Sequence, residues 1–242
     1  MFVSHRLVII AVIFVTCLIT ANVIAVKVIS LGSVVLPAAI FVFPLSYIFG
    51  DVLTEVYGYS WARRIIWLGF ICNLIFVIFA WVGQILPPAP FWEFQGAYEA
   101  ILGYTPRLLA ASFCGYIVGE FVNSFILAKM KILTRGRWLW SRTIGSTVVG
   151  QGLDTSIFIV LAFIGTPSFV PVMILYHWLA KTLIEALATP LTYAVVNFLK
   201  SKEAIDTYDY ETNFNPFLIS HSLNLSRGAL SRHDADKDSG RA

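Results

Sequence analysis

The sequence predicts an all-α, polytopic membrane protein, a bundle of about six transmembrane helices. Three observations carry that fold class. First, 58% of the 242 residues are hydrophobic and only 13% are charged, against about a quarter charged in an ordinary soluble domain. Second, long windows are apolar on every side, whereas a helix facing water needs a polar face. Third, the charges collect in short clusters between apolar runs of about the length that crosses a bilayer.

The first run, residues 7–29, follows His5 and Arg6 and superficially resembles a signal peptide. It is longer than a usual signal core and has no clear small-x-small cleavage site, so it reads as a retained first span. The second run, 34–56, is interrupted by Pro37 and Pro44 and carries Gly50, Asp51 and Glu55 at its far end. Proline removes a helical donor, so this span is expected to be kinked or broken. Runs at 65–86, 108–130, 144–164 and 170–199 complete six spans. Residues 1–200 therefore read as one transmembrane domain. Residues 201–242 read as a polar cytoplasmic tail, lacking the apolar density to fold alone beyond about Phe217.

The basic residues set a topology. His5 and Arg6, then Arg63 and Arg64, then Lys131, Arg135, Arg137 and Arg142, then Lys200 and Lys202 occupy alternate ends of the runs. The intervening loops, 30–33, 87–105 and 165–169, hold almost none. Both termini are thus expected in the cytoplasm. The 87–105 loop is rich in Pro and aromatic residues, which suits anchoring at the interface. A net charge of +3 spread this way makes no basic groove, so nucleic acid is not an expected partner. Cys17, Cys72 and Cys114 each sit inside an apolar run and read as reduced, buried thiols.

Polar groups inside the runs are the candidate functional residues, because a charge in hydrocarbon costs about 2.5–3.5 kcal/mol even on lenient scales. Asp51 and Glu55 are spaced i, i+4, and Glu120 and Asn123 i, i+3. Thr143, Thr147, Gln151 and Asp154 recur at helical spacing and make a polar stripe. His177, Lys181 and Glu185 share a face, with Lys181 and Glu185 near enough to pair. Asn22 and Lys27 lie in the first run on different faces. Such groups can neutralise one another and bind helices together, and Asp51 and Glu55 can be interfacial, held by Arg63 or Arg64. A polar central cavity accounts for all of them at once. The order Tyr-Ile-x-Gly-acid appears twice, at residues 47–51 and 116–120, as a short internal similarity.

Several chemistries are missing. There is no HExxH helix, no Walker A loop, no GxSxG elbow and no Cys-rich cluster, so neither a metal nor another cofactor is expected. Ser112 or Ser146 with His177 is a conceivable serine–base pairing, but no local signature supports it. Without an ATP site, active transport would need a gradient or a separate energising subunit.

The run FPLSYIFGDVLTEVYGYSWARRIIWLGF, the stripe RWLWSRTIGSTVVGQGLDTSIF and the tail motif TYDYETNFNPF together resemble the queuosine precursor transporter family, also known as a vitamin uptake transporter family. The resemblance covers roughly residues 20–217. It implies a six-helix bacterial inner-membrane protein that imports a 7-deazaguanine such as preQ0 or preQ1 for the salvage of queuosine in tRNA. The family is also similar to substrate-binding subunits of vitamin importers that work with an energising module, while itself being thought to act without one.

The residue chemistry suits such a ligand. A deazaguanine presents N1–H beside an exocyclic amine, a donor edge that one carboxylate can accept twice. On this reading Glu120, Asn123, Gln151 and Asp154 form the ligand edge. Tyr47 and Tyr116 supply rings, with Phe43, Phe158, Tyr176 and Trp178 as further aromatic candidates, and Asn22 and Lys27 add polar contacts. Asp51, Glu55, Lys181 and Glu185 would close the cavity or its gate. Two alternatives stay open: a binding subunit that needs an energising partner, and an intramembrane enzyme using the same carboxylates. The G-x-x-x-G of Gly115 and Gly119 would serve close helix contact within the chain or in a homodimer.

Overall fold

The computed structural model describes residues 4–31, 34–103, 106–165, 169 and 171–218. Among the described residues, five helices are long and apolar enough to cross a membrane: α1 (His5–Ile24), α3 (Tyr59–Ile85), α5 (Pro106–Leu133), α6 (Leu139–Phe163) and α7 (Val172–Glu203). Their outward faces carry exposed aliphatic and aromatic residues such as Val12, Ile75, Phe79, Leu183 and Leu187. Lipid, not water, is the solvent such faces match.

Between α1 and α3 the chain departs from a simple helix. α1 ends at Ile24, short of the expected end of the first run. Residues Val28–Leu31 (β1) and Val34–Pro37 (β2) then pair antiparallel, with Val28 opposite Pro37 and Leu31 opposite Val34. The run of β-branched Val28, Ile29, Val34 and Val35 around a Gly-Ser pair favours that hairpin over helix. A 3₁₀ turn (Ala38–Phe41) leads into α2 (Phe43–Val52), with Pro44 in its first turn, where no donor is lost. α2 continues as a π-helical turn, Leu53–Tyr57, that stops at Gly58 with φ 84°. The second span is thus broken, as its prolines predict.

Contacts fix the direction of each element. Leu18 lies against Gly69 and Asn22 donates to Asn73, so α1 and α3 advance together and are parallel. The intervening segment must therefore return the chain, which makes α2 and its π-turn the sixth pass through the bundle. Opposing order holds for α5 and α6: Gly115 meets Asp154, Gly119 and Asn123 meet Gly150, and Gly145 meets Met130. A Cβ on Gly119 would stand 2.6 Å from Asp154 Cβ, and one on Gly150 would stand 2.7 Å from Asn123 Cβ. The G-x-x-x-G face is thus used within the chain, letting α5 and α6 approach closely.

The 87–105 loop contains a short helix, α4 (Gln95–Leu102), which folds back on α3: Tyr98 donates to the Ala80 carbonyl at 2.9 Å. At the opposite end of the bundle Ser4 donates to Glu203 at 2.5 Å, so the start of α1 and the end of α7 lie together. Residues beyond α7 dock there too. Thr207 N–H donates to the Val56 carbonyl, and Asp209 accepts from Tyr59 N–H at 3.0 Å. Gly58 is required at that junction both by its positive φ and because a Cβ would stand 2.7 Å from the Thr207 side chain. Within Asn213–Leu218, Asn213 and Asn215 side chains each accept from the backbone two residues on, a local turn bond. The disorder expected after Phe217 falls on residues 219–242, outside those described.

Candidate functional site

Four helices deliver polar side chains to one buried region. From α2 come Tyr47 and Asp51; from α5, Glu120 and Asn123; from α6, the partly buried Asp154; from α7, the partly buried Lys181 and the buried Glu185, while Ser46, Gln151 and Thr155 are buried on the same helices. Asn123 Nδ2 donates to Asp51 Oδ1 at 2.9 Å. Lys181 Nζ donates to Asp154 Oδ2 at 2.5 Å and also hydrogen-bonds the Tyr47 hydroxyl. Glu120 interacts electrostatically with Asp154, Lys181 and Glu185, and Asp51 with Glu185 and Glu120. The expected stripe on α6 faces inward, with Thr143, Thr147 and Gln151 all buried.

This region gathers several unspent acceptors, although Glu55 Oε2 and Glu203 Oε2 are bare elsewhere. Both oxygens of Glu185, Asp51 Oδ2, Asn123 Oδ1 and Gln151 Oε1 are buried without a hydrogen-bond partner among the described residues. Buried polar groups are normally satisfied, because leaving one bare costs about 1–3 kcal/mol. Lys181 and Glu185, expected to pair along α7, do not. Asp154 on the neighbouring helix takes the ammonium and leaves Glu185 bare. Two grooves, about 400 and 520 Å³, lie on the apolar outside of the bundle, between α1 and α3 and between α6 and α7. Neither is lined by a residue of this cluster.

Glu55 belongs elsewhere. The π-turn carries it to the end of the bundle where the tail docks, and its carboxylate is completely buried. Its Oε1 receives Arg142 at 2.8 Å and Lys200 at 2.7 Å, with Lys131 at 3.6 Å. Lys131 also donates to the Glu55 carbonyl at 2.5 Å and to Asp206 at 2.6 Å, and its ammonium lies over the Tyr208 ring. Burial alone would raise the Asp206 carboxyl, but hydrogen bonds from Lys131 and Lys200 outweigh it and hold the group below the usual carboxylate range. This network joins the π-turn, α5, α6, α7 and the tail. Neither Arg63 nor Arg64 is the partner of Glu55.

Other expected site residues are placed as follows. Asn22 donates to Asn73 at 3.1 Å between α1 and α3. Lys27 is exposed where the hairpin begins, its carbonyl accepting from Ala38 N–H. Tyr116 donates to the Ile66 carbonyl at 3.1 Å, with its ring beside α3. Trp178 donates to the Val148 carbonyl, Phe158 packs edge-on to Phe163, and Tyr176 and His177 are exposed. Ser146 donates to Thr143 within its own helix, so it makes no pair with His177. The side chain of Phe43 lies outside the described part of the structure. No group of three metal-ligating side chains occurs among the described residues.

Residues 37–195, which hold this buried cluster, match the family described as "Putative vitamin uptake transporter". The chain belongs to the vitamin uptake transporter family. Among its relatives is the "Probable queuosine precursor transporter" of Bacillus subtilis (strain 168), 34% identical over 157 residues, or 63% of this chain and 68% of the relative. The "Queuosine precursor transporter" of Escherichia coli (strain K12) is 26% identical over 145 residues, or 60% of this chain and 62% of that protein. No solved structure matches the chain. The family match spans every cluster residue and Glu55, whereas Lys200, Asp206 and the docked tail lie beyond it.

Sequence reading of this transporter missed Ser46 and Thr155, which are buried with bare hydroxyls, and the Lys131–Arg142–Lys200 cage around Glu55. Those three basic residues were legible only as topology signals. The available hint was an intramembrane acid, Glu55, at the same bundle end as the basic clusters.

Proposed function

We propose that this chain imports a queuosine precursor, a 7-deazaguanine such as preQ0 or preQ1, across a bacterial inner membrane. The observation that carries the reading is the surplus of buried acceptors at Asp51, Asn123, Gln151 and Glu185. A deazaguanine edge supplies donors in kind. Glu185 alone has two bare oxygens, the arrangement that accepts N1–H and the exocyclic amine together. Gln151, an amide, complements the ring carbonyl through Nε2 while its Oε1 accepts. Tyr47, tied to Lys181, offers a ring at the edge of the cluster. The family and the names of its relatives support this substrate class.

The orientation proposed puts the Ser4–Glu203 end in the cytoplasm. Arg6, Arg63, Arg64, Lys131, Arg135, Arg137, Arg142, Lys200 and Lys202 belong to that end, against Lys27 and Arg107 at the other. Asp154, Lys181, Glu120 and Tyr116 surround the ligand edge, and the Glu55 cage acts as the gate on the cytoplasmic side. Asp51 and Glu55 flank the start of the π-turn, so motion of that one segment moves both site and gate. π-turns inside helices are frequent at functional positions.

The test is uptake. Cells unable to make deazaguanines should accumulate labelled preQ0 or preQ1 only when the protein is present, and excess unlabelled base should suppress it. Proteoliposomes of the purified protein that take up the base unaltered would set aside both an energising partner and a chemical reaction.

A further inference from the structure

The cluster holds more acid than the protein neutralises. Asp51, Glu120, Asp154 and Glu185 bring four carboxylates, and Lys181 is the basic side chain among them, already bonded to Asp154 at 2.5 Å. Asp51 is 1% exposed and receives Asn123 Nδ2 on Oδ1 alone. Asn123, 5% exposed, has thus directed its amide nitrogen at Asp51, and its own Oδ1 remains bare, as does Asp51 Oδ2. The pair presents two bare acceptors, with one amide N–H of Asn123 committed to Asp51. Glu120 adds a further carboxyl nearby, 3.5 Å from where a Cβ on Gly50 would be.

Two bare acceptors, one of them a carboxyl oxygen, in a desolvated place describe a receptor for an alkylammonium, which has three donors and no acceptor. A neutral nitrile offers the opposite, an acceptor facing acceptors, and leaves the carboxylate uncompensated. We infer that the Asp51–Asn123 pair receives a cationic substituent on the transported base, so that this protein prefers a 7-deazaguanine bearing an aminomethyl group over neutral ones. The inference rests on the proposed function and adds to it which substituent is selected and by which residues. Glu185 reads the base edge, common to all such ligands, and Asp51 with Asn123 reads the side group.

The experiment is competition for uptake of labelled preQ1 by unlabelled preQ1, preQ0 and 7-ethyl-7-deazaguanine, the last matching the aminomethyl group in shape but not in charge. Both neutral bases should compete at least about ten-fold less well, the scale of one hydrogen bond to a charged group. In Asp51→Asn the ratio between charged and neutral competitors should shrink towards one. Equal competition by all three in the unaltered protein overturns the inference while leaving deazaguanine transport standing. So does an Asp51→Asn protein that loses uptake of charged and neutral bases in equal proportion. If Asp51→Asn does not reach the membrane, the competition by the unaltered protein decides alone. Uptake of none of the three sinks the transport reading itself, and this inference with it.

Discussion

Lys181 on α7 bonds Asp154 on α6 at 2.5 Å, and in doing so leaves Glu185, one turn along its own helix, with no hydrogen-bond partner among the described residues. Both members of the pair are partly buried, at 17% and 21% side-chain exposure. The pair holds α6 to α7 beside the cluster, so its loss acts on packing as well as on binding.

Asp154→Asn is therefore expected to abolish uptake and to destabilise the protein. Leaving one ion of a partly buried pair uncompensated should cost about 1–3 kcal/mol, below the value for a fully buried pair. Thermal denaturation in detergent measures the cost. The double variant Asp154→Asn/Lys181→Gln should recover part of the stability without recovering uptake. Full stability in the single variant would show that the bond does not hold the helices.

The α5–α6 contact predicts a graded series. Gly119→Ala and Gly150→Ala put a methyl against Asp154 and Asn123, and overpacking of this kind costs about 1–3 kcal/mol. Gly96→Ala, with nothing within 4 Å of its Cβ, should be neutral. Melting temperatures of the three variants test the order.

Asp206 gives a pH dependence with a definite sign. Its carboxyl is held below the usual range by Lys131 and Lys200, so the docking it contributes is present above the ordinary carboxylate value and is lost as pH falls through the depressed one. Proteolysis after Glu203 should accelerate below about pH 4. Asp206→Asn should cleave readily at neutral pH and lose the acid step. A cleavage rate independent of both changes would remove Asp206 from the clasp.

Glu55→Gln leaves Arg142, Lys131 and Lys200 around a neutral amide. The expected cost is about 3–5 kcal/mol for breaking a buried ionic group on one side, read as lost abundance in the membrane. Normal abundance with lost uptake would place Glu55 in gating rather than in holding the fold.

Much of this architecture is written in the local sequence. Apolar length announces the crossings, and Pro37 and Pro44 announce the break in the second. The hairpin at Val28–Pro37 was not legible, because its strands fall inside runs whose apolar length reads as membrane spans, a signal stronger than their β-branching. The inward stripe Thr143–Thr147–Gln151 follows from helical period alone. Partner choice does not: Lys181 has an acid at i+4 on its own helix and takes Asp154 from another, a contact set by the close approach of α5, α6 and α7. For the same reason Asp51 and Glu55, one turn apart in sequence, serve different places once a π-turn shifts the register. The tail motif around Tyr208 and Asp209 docks through Lys131, Tyr59 and Gly58, whose distance along the chain hid the contact.

The central claim is that the buried acceptor cluster takes a 7-deazaguanine across the membrane. Its most direct test is accumulation of labelled preQ0 and preQ1 in cells that make neither, comparing the unaltered protein with Glu185→Gln at matched abundance. The account predicts protein-dependent accumulation, suppressed by unlabelled base and reduced at least about ten-fold by Glu185→Gln. No accumulation with the protein present in the membrane, or accumulation unchanged in Glu185→Gln, would contradict it.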